Sequence, residues 1–156
     1  MPLFLSTYIN KLDRKGRVSV PAPFRAALAG QPFNGIVAYP SHRLPALEAC
    51  GIDRMDQLAA ALDSTDKFAS AHDDVATVVF ADARQLPFDS EGRVTLPPDL
   101  AAPAGIIEGC AFVGCGKSFQ IWEPEAFRSY QEEARNRASR DGFVLRSDAA
   151  ARQPRE

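Results

Sequence analysis

Three cations crowd one short run of this 156-residue chain: Arg14, Lys15 and Arg17, inside Asp13-Arg14-Lys15-Gly16-Arg17-Val18-Ser19-Val20-Pro21. An arginine beside a tight turn can enter the major groove and bond a guanine edge with two N–H groups at once, while lysine neutralises phosphate. At an offset of 76 positions the run returns as Asp89-Ser90-Glu91-Gly92-Arg93-Val94-Thr95-Leu96-Pro97. Asp, Gly, Arg, Val and Pro are identical in the two copies, and only the turn interior differs. A solvated tip, with Lys and Arg placed for solubility, is the bland alternative. The duplicated Gly-Arg weakens it, because a turn needs Gly but does not need Arg. Glu91 stands where the first copy has Lys15, so the second turn should hold phosphate more weakly, with Ser90 as a neutral donor.

The elements that must position these side chains read alike in both copies. Asp13 and Asp89 open a turn by accepting backbone N–H bonds, and Gly16 and Gly92 close it by tolerating positive φ. A type I turn closed by a Gly bulge predicts a hairpin, with strands over residues 8–12 and 17–20 in the first copy. Val18 and Val20 alternate with Arg17 and Ser19, giving one apolar and one polar face, and Val94 and Leu96 repeat the pattern. Pro21 and Pro97 end the strand because proline cannot donate to a ladder. A short helix follows over residues 22–29, and over 98–102 in the second copy, where Pro103 cuts it short.

Further strands are predicted over 35–39, 110–113 and 119–122. A strand-turn-strand-helix-strand-strand unit of about 45 residues is too small to bury a core alone, so the two units are expected to interdigitate into one barrel. Helices are predicted over 53–62, 66–80 and 124–140, the middle one despite the β-branched residues Val75, Thr77, Val78 and Val79. From Asp141 onward the pattern predicts a disordered tail.

Composition narrows the function classes. Apolar and charged fractions of 46% and 24% suit a globular chain. No apolar run of about 18 residues predicts a membrane span, and the opening residues lack the pattern of a secretory leader, so the expected location is the cytosol. Cys50, Cys110 and Cys115 form no CxxC pair and are expected to be small buried apolar residues. His42 and His72 sit in no metal-ligand spacing, and Asp73-Asp74 reads as a solvated helix face. Nothing calls for a metal, a cofactor, a small-molecule substrate or an enzyme. The net charge of -2 argues against binding polyanions with the whole surface. Yet residues 1–30 carry Lys11, Arg14, Lys15, Arg17 and Arg25 against Asp13 alone, whereas Arg84 and Arg93 face Asp89, Glu91 and Asp99. Any nucleic-acid surface is therefore local and centred on the first copy.

The paired phrases resemble the double signature of the MraZ family, transcriptional regulators of the division and cell-wall gene cluster in bacteria. The likeness runs from Tyr8 to Tyr130 and includes Phe119-Gln120-Ile121-Trp122-Glu123-Pro124-Glu125. One copy alone would suggest only the wider AbrB/MazE-like swapped-hairpin class. The resemblance implies an α+β, mainly β fold: a double-split β-barrel pseudo-dimer of two swapped-hairpin halves with flanking helices. Its parts would be SpoVT-AbrB-like halves at 7–52 and 83–126, a helical connector at 53–82, and a helix and tail at 127–156. It implies DNA-contacting residues Arg14, Lys15, Arg17, Ser90 and Arg93, with Asp13, Gly16, Pro21, Asp89, Gly92 and Pro97 shaping the turns. The partners implied are double-stranded promoter DNA and further copies of the chain in a ring, with repression of the chain's own operon at the nucleoid.

Charge arithmetic supports assembly independently. One turn with three cations makes too few phosphate contacts for tight binding at physiological salt. Linked turns on tandem sites gain affinity through effective concentration, on the order of 100-fold or more. The strongest rival is an antitoxin-like protein-interaction module of the same fold without DNA readout, using the helices at 53–62 and 124–140.

Overall fold

The computed structural model describes residues 2–142. Of the tail predicted from Asp141 onward, Asp141 still belongs to the last helix, and the part beyond Gly142 lies outside the described residues. In chain order the elements are β1 (Thr7–Lys11), β2 (Arg17–Ser19), α1 (Ala22–Ala27), β3 (Gly35–Pro40), β4 (Leu47–Cys50) and α2 (Ile52–Asp63). Next come α3 (Ser70–Val75), running into a π-helical segment (Ala76–Ala81), and then β5 (Arg84–Pro87), β6 (Arg93–Thr95), α4 (Pro98–Ala101), β7 (Gly109–Gly114), β8 (Phe119–Trp122) and α5 (Pro124–Asp141). The fold is α+β and mainly β.

The predicted hairpins are not ladders in themselves. Within each copy the backbone joins the strands only at the turn, through the Asp13 N–H to Arg17 carbonyl bond and its Asp89–Arg93 counterpart. In the first copy the Asn10 side-chain amide also donates to the Ser19 carbonyl at 2.7 Å. β1 pairs instead with β7, β2 with β6, β5 with β3 and β4 with β8, all antiparallel. Every one of these pairings joins the first half to the second. The strand order β1-β7-β8-β4-β3-β5 reads the same from either end when first-half and second-half strands are exchanged. The register obeys the same symmetry: Tyr8 faces Phe112 as Arg84 faces Ala38. A pseudo-twofold axis passes between Val18 and Val94 and between Glu48 and Gln120, each facing its own counterpart. There Gln120 Nε2 donates to Glu48 Oε1 at 2.8 Å.

Exchange of strands solves the size problem of the half-repeat. The β2–β6 ribbon closes over the six-stranded sheet, and Val18, Val20, Val94 and Leu96 meet Ile36, Leu47, Leu86, Phe112, Phe119 and Ile121 in one shared core. Phe24 of α1 is its aromatic centre, edge-on to Phe4 at 5.2 Å and to Tyr8 at 5.6 Å, and tilted against Phe119 at 5.0 Å. Deleting such a ring costs about 3–5 kcal/mol.

Two elements differ from the sequence-based expectation. β4 was not foreseen, because Leu-Glu-Ala-Cys carries little β propensity; burial of Leu47, Ala49 and Cys50 between β3 and β8 overrides it. The helix predicted over 66–80 starts only at Ser70 and widens to π geometry where Thr77, Val78 and Val79 crowd the turns. Val79 and Phe80 thereby pack against a smaller cluster around Val37, Cys50 and Met55. Cys50 and Cys110 are buried as expected, with burial pushing both thiols up to about 12, whereas Cys115 is exposed.

Residues through Pro124 make one compact unit, and those from Glu125 a second. Along α5, Arg128–Glu125 and Arg137–Glu133 are exposed ion pairs of the kind that contribute little stability.

Candidate nucleic-acid interface

Each repeated turn is built around its Asp. Asp13 Oδ1 accepts the N–H groups of Lys15 and Arg17, both at 2.9 Å, while Oδ2 pairs with Arg17 Nε at 2.6 Å. Asp89 does the same for Glu91 and Arg93, at 2.9 Å each, and pairs with Arg93 Nε at 2.8 Å. The backbone N–H of Arg17 holds the Asp13 carboxyl below the ordinary range, helped by the Arg17 side chain and the N–H of Lys15. The N–H of Arg93 acts likewise on Asp89. Gly16 and Gly92 sit at φ +80 and +75, the left-handed conformation that lets the chain turn back into β2 and β6.

The swap then brings the two turns together. In the β2–β6 ribbon Arg17 faces Thr95 and Ser19 faces Arg93, so these four side chains share the outer face while Val18 and Val94 are buried beneath. Gly16 and Gly92 carbonyls accept the N–H groups of Leu96 and Val20 from the opposite half, at 2.9 and 3.2 Å. Arg93 Nη1 lies 4.0 Å from Asp13 Oδ2. The result is one antiparallel ribbon, polar on its open face, with a cation-bearing turn at either side. A two-stranded β-ribbon has the dimensions to enter a major groove.

Of the five site residues predicted from sequence, Arg17 and Arg93 share the ribbon's outer face, while Arg14, Lys15 and Ser90 are exposed on the two turns. Arg14 and Lys15 are exposed and, among the described residues, form no ion pair. Arg17 keeps 35% of its side chain accessible, is pinned through Nε and directs a fixed guanidinium outward from its turn. Arg93 is more enclosed at 25%, with Asp89, Glu91 and Asp13 all within 4.0 Å. Ser90 is exposed beside it. Sequence reasoning missed the ribbon partner Thr95 as a neutral donor, because only the cross-half pairing sets it opposite Arg17. It also counted Arg25 merely as charge.

Comparison with known proteins agrees with the repeated motif. A family model described as "MraZ protein, putative antitoxin-like" matches residues 79–143. A protein of Rickettsia canadensis (strain McKiel) named transcriptional regulator MraZ is 45% identical over 147 residues, covering 94% of this chain and 99% of its own length. A namesake in Rickettsia bellii (strain OSU 85-389) is 45% identical over 148 residues, with the same coverage. A third, in Pelagibacter ubique (strain HTCC1062), is 46% identical over 137 residues and 88% of each chain.

Proposed function

The chain belongs to the MraZ family and is a transcriptional regulator of that family, and we propose that it acts by binding double-stranded promoter DNA through the β2–β6 ribbon and its two turns. The supporting observation is the outward row of Arg17, Ser19, Arg93 and Thr95, flanked by the exposed cations Arg14 and Lys15. Arg14 and Lys15 meet phosphate, while Arg17 and Arg93 line the face turned to the base edges and Ser90 supplies a neutral donor. In this reading residues 7–52 and 83–126 are the two SpoVT-AbrB-like halves, 53–82 connects them, and 127–156 follows as an appendage.

A single ribbon contacts few phosphates, so tight occupancy requires several copies on tandem sites. A homo-oligomeric ring, bound at direct repeats ahead of the chain's own division and cell-wall operon and repressing it at the nucleoid, meets that requirement. Footprinting the purified protein on the DNA upstream of its gene tests the reading: periodic protection is expected, lost on Arg17→Ala. Light scattering tests the ring, and a monomeric mass at micromolar concentration contradicts it.

The rival, an antitoxin-like protein-binding module, draws on the apolar groove between α2 and the π-helical segment, lined by Tyr39, Leu58, Leu62, Val75, Val79 and Phe80. It predicts that Arg17→Ala leaves any DNA affinity untouched.

A further inference from the structure

The pseudo-twofold axis relates Arg25 of α1 to Ala101 of α4, since both stand eight residues after the turn arginine. That difference adds to the unlike turn interiors, Arg14-Lys15 against Ser90-Glu91. Arg25 crosses from the first half onto the second half's turn. Its Nε donates to the Val20 carbonyl at 3.1 Å, and its Cδ, Nε and Cζ lie where a Cβ on Gly92 would meet them at 2.8 Å. Gly92 is buried under this side chain, while Gly16 is only half-buried. On the first turn the equivalent space is an open groove of about 370 Å³ beside Arg14 and Lys15, floored by Leu96, Ala101 and Ile106.

We propose that Arg25 is the phosphate-contacting cation of the second turn, delivered to it from the other half of the repeat. This rests on the DNA-binding reading above and deepens it. Arg93 is poorly placed for the task, because Asp89 at 2.8 Å and Glu91 at 3.3 Å already occupy its guanidinium. Arg25 is exposed and, among the described residues, forms no ion pair. With Nε pinned on a carbonyl and Cζ over Gly92, the guanidinium is held at the turn, and its two terminal nitrogens are the pair of donors that a phosphate accepts. The second turn thus regains the positive charge that Glu91 takes away, and the first turn, with Lys15 in that place, does without an arginine at position 101.

The test uses a duplex selected from a random-sequence pool by the wild-type protein, titrated at several salt concentrations. Arg25→Gln keeps a long side chain with an amide donor and removes only the charge. It is expected to weaken binding and lower the slope of log affinity against log salt by about one. Arg25→Lys should retain most of that slope, and Ala101→Arg, which fills the groove at the first turn, should raise it by about one. Arg14→Ala is measured alongside. If Arg14→Ala loses slope while Arg25→Gln matches wild type in slope and affinity, the role of Arg25 is overturned and the DNA reading stands. If neither variant changes the slope, both fall. Should Arg25→Gln not fold, as thermal melting will show, Ala101→Arg decides: a steeper slope supports the proposal and an unchanged one overturns it.

Discussion

Asp13 and Asp89 each do three things with one carboxylate: two backbone N–H groups close the turn, and the second oxygen fixes the arginine that the turn displays. Both pKa values lie below the ordinary carboxylate value, so each ionised side chain favours the folded state. That contribution is fully present above the unfolded value of about 3.9 and disappears as pH falls through the lower folded value. Melting curves from pH 6 down to about pH 2.5 should therefore show an acid-side loss of Tm. Asp13→Asn, which keeps an acceptor oxygen but cannot titrate, should start lower at pH 6 and lose less on acidification. An Asp13→Asn acid profile parallel to wild type would contradict this assignment.

At the scale of elements, the two turns share one backbone shape and differ in what covers it. Alanine at Gly16 or Gly92 forces a left-handed conformation costing about 1–2 kcal/mol. At Gly16 the new Cβ meets the Leu96 carbonyl at 3.2 Å, a contact with backbone of the opposite strand. At Gly92 the three nearest atoms it meets, all at 2.8 Å, belong to the Arg25 side chain, which can swing aside. Urea unfolding should find both variants destabilised by that amount, while only Gly92→Ala displaces Arg25 and reduces the salt sensitivity of DNA binding. Equal effects of the two on binding would contradict the inequivalence of the turns.

The turns and their flanking strands were legible in the sequence because Asp, Gly and Pro each impose a local geometry, and the Val-x-Val alternation states which face is buried. Interdigitation was legible from the small size of each unit and from the resemblance, but the individual strand partners were not, since nothing in residues 8–20 says which strand of the other half each will face. β4 escaped for a related reason. Its β structure comes from burial between two neighbours, and residues 47–50 carry no intrinsic preference for it. The role of Thr95 depends on that same exchange, and the place of Arg25 on the other half's turn does too.

At the scale of the whole molecule, swapping commits the two halves to each other. A fragment of residues 1–75 contains β1 to β4 but lacks β6, β7 and β8, the partners of β2, β1 and β4. Alone it should either be unfolded or pair with a second copy of itself, which can supply equivalent strands across a true twofold. Analytical ultracentrifugation with circular dichroism distinguishes these outcomes, and a folded monomer of the fragment would contradict the exchanged topology.

In a net-acidic chain whose other cations are spread along its length, residues 1–30 hold five cations against one acid, and DNA binding is expected at the ribbon they flank. The most direct measurement is the salt dependence of duplex binding by wild type and by Arg14→Ala/Lys15→Ala, two exposed side chains that form no ion pair among the described residues. Loss of two phosphate contacts should flatten the slope of log affinity against log salt by about two, with Tm unchanged. A variant that binds with the wild-type slope, or a wild-type protein that binds no duplex, would contradict the account.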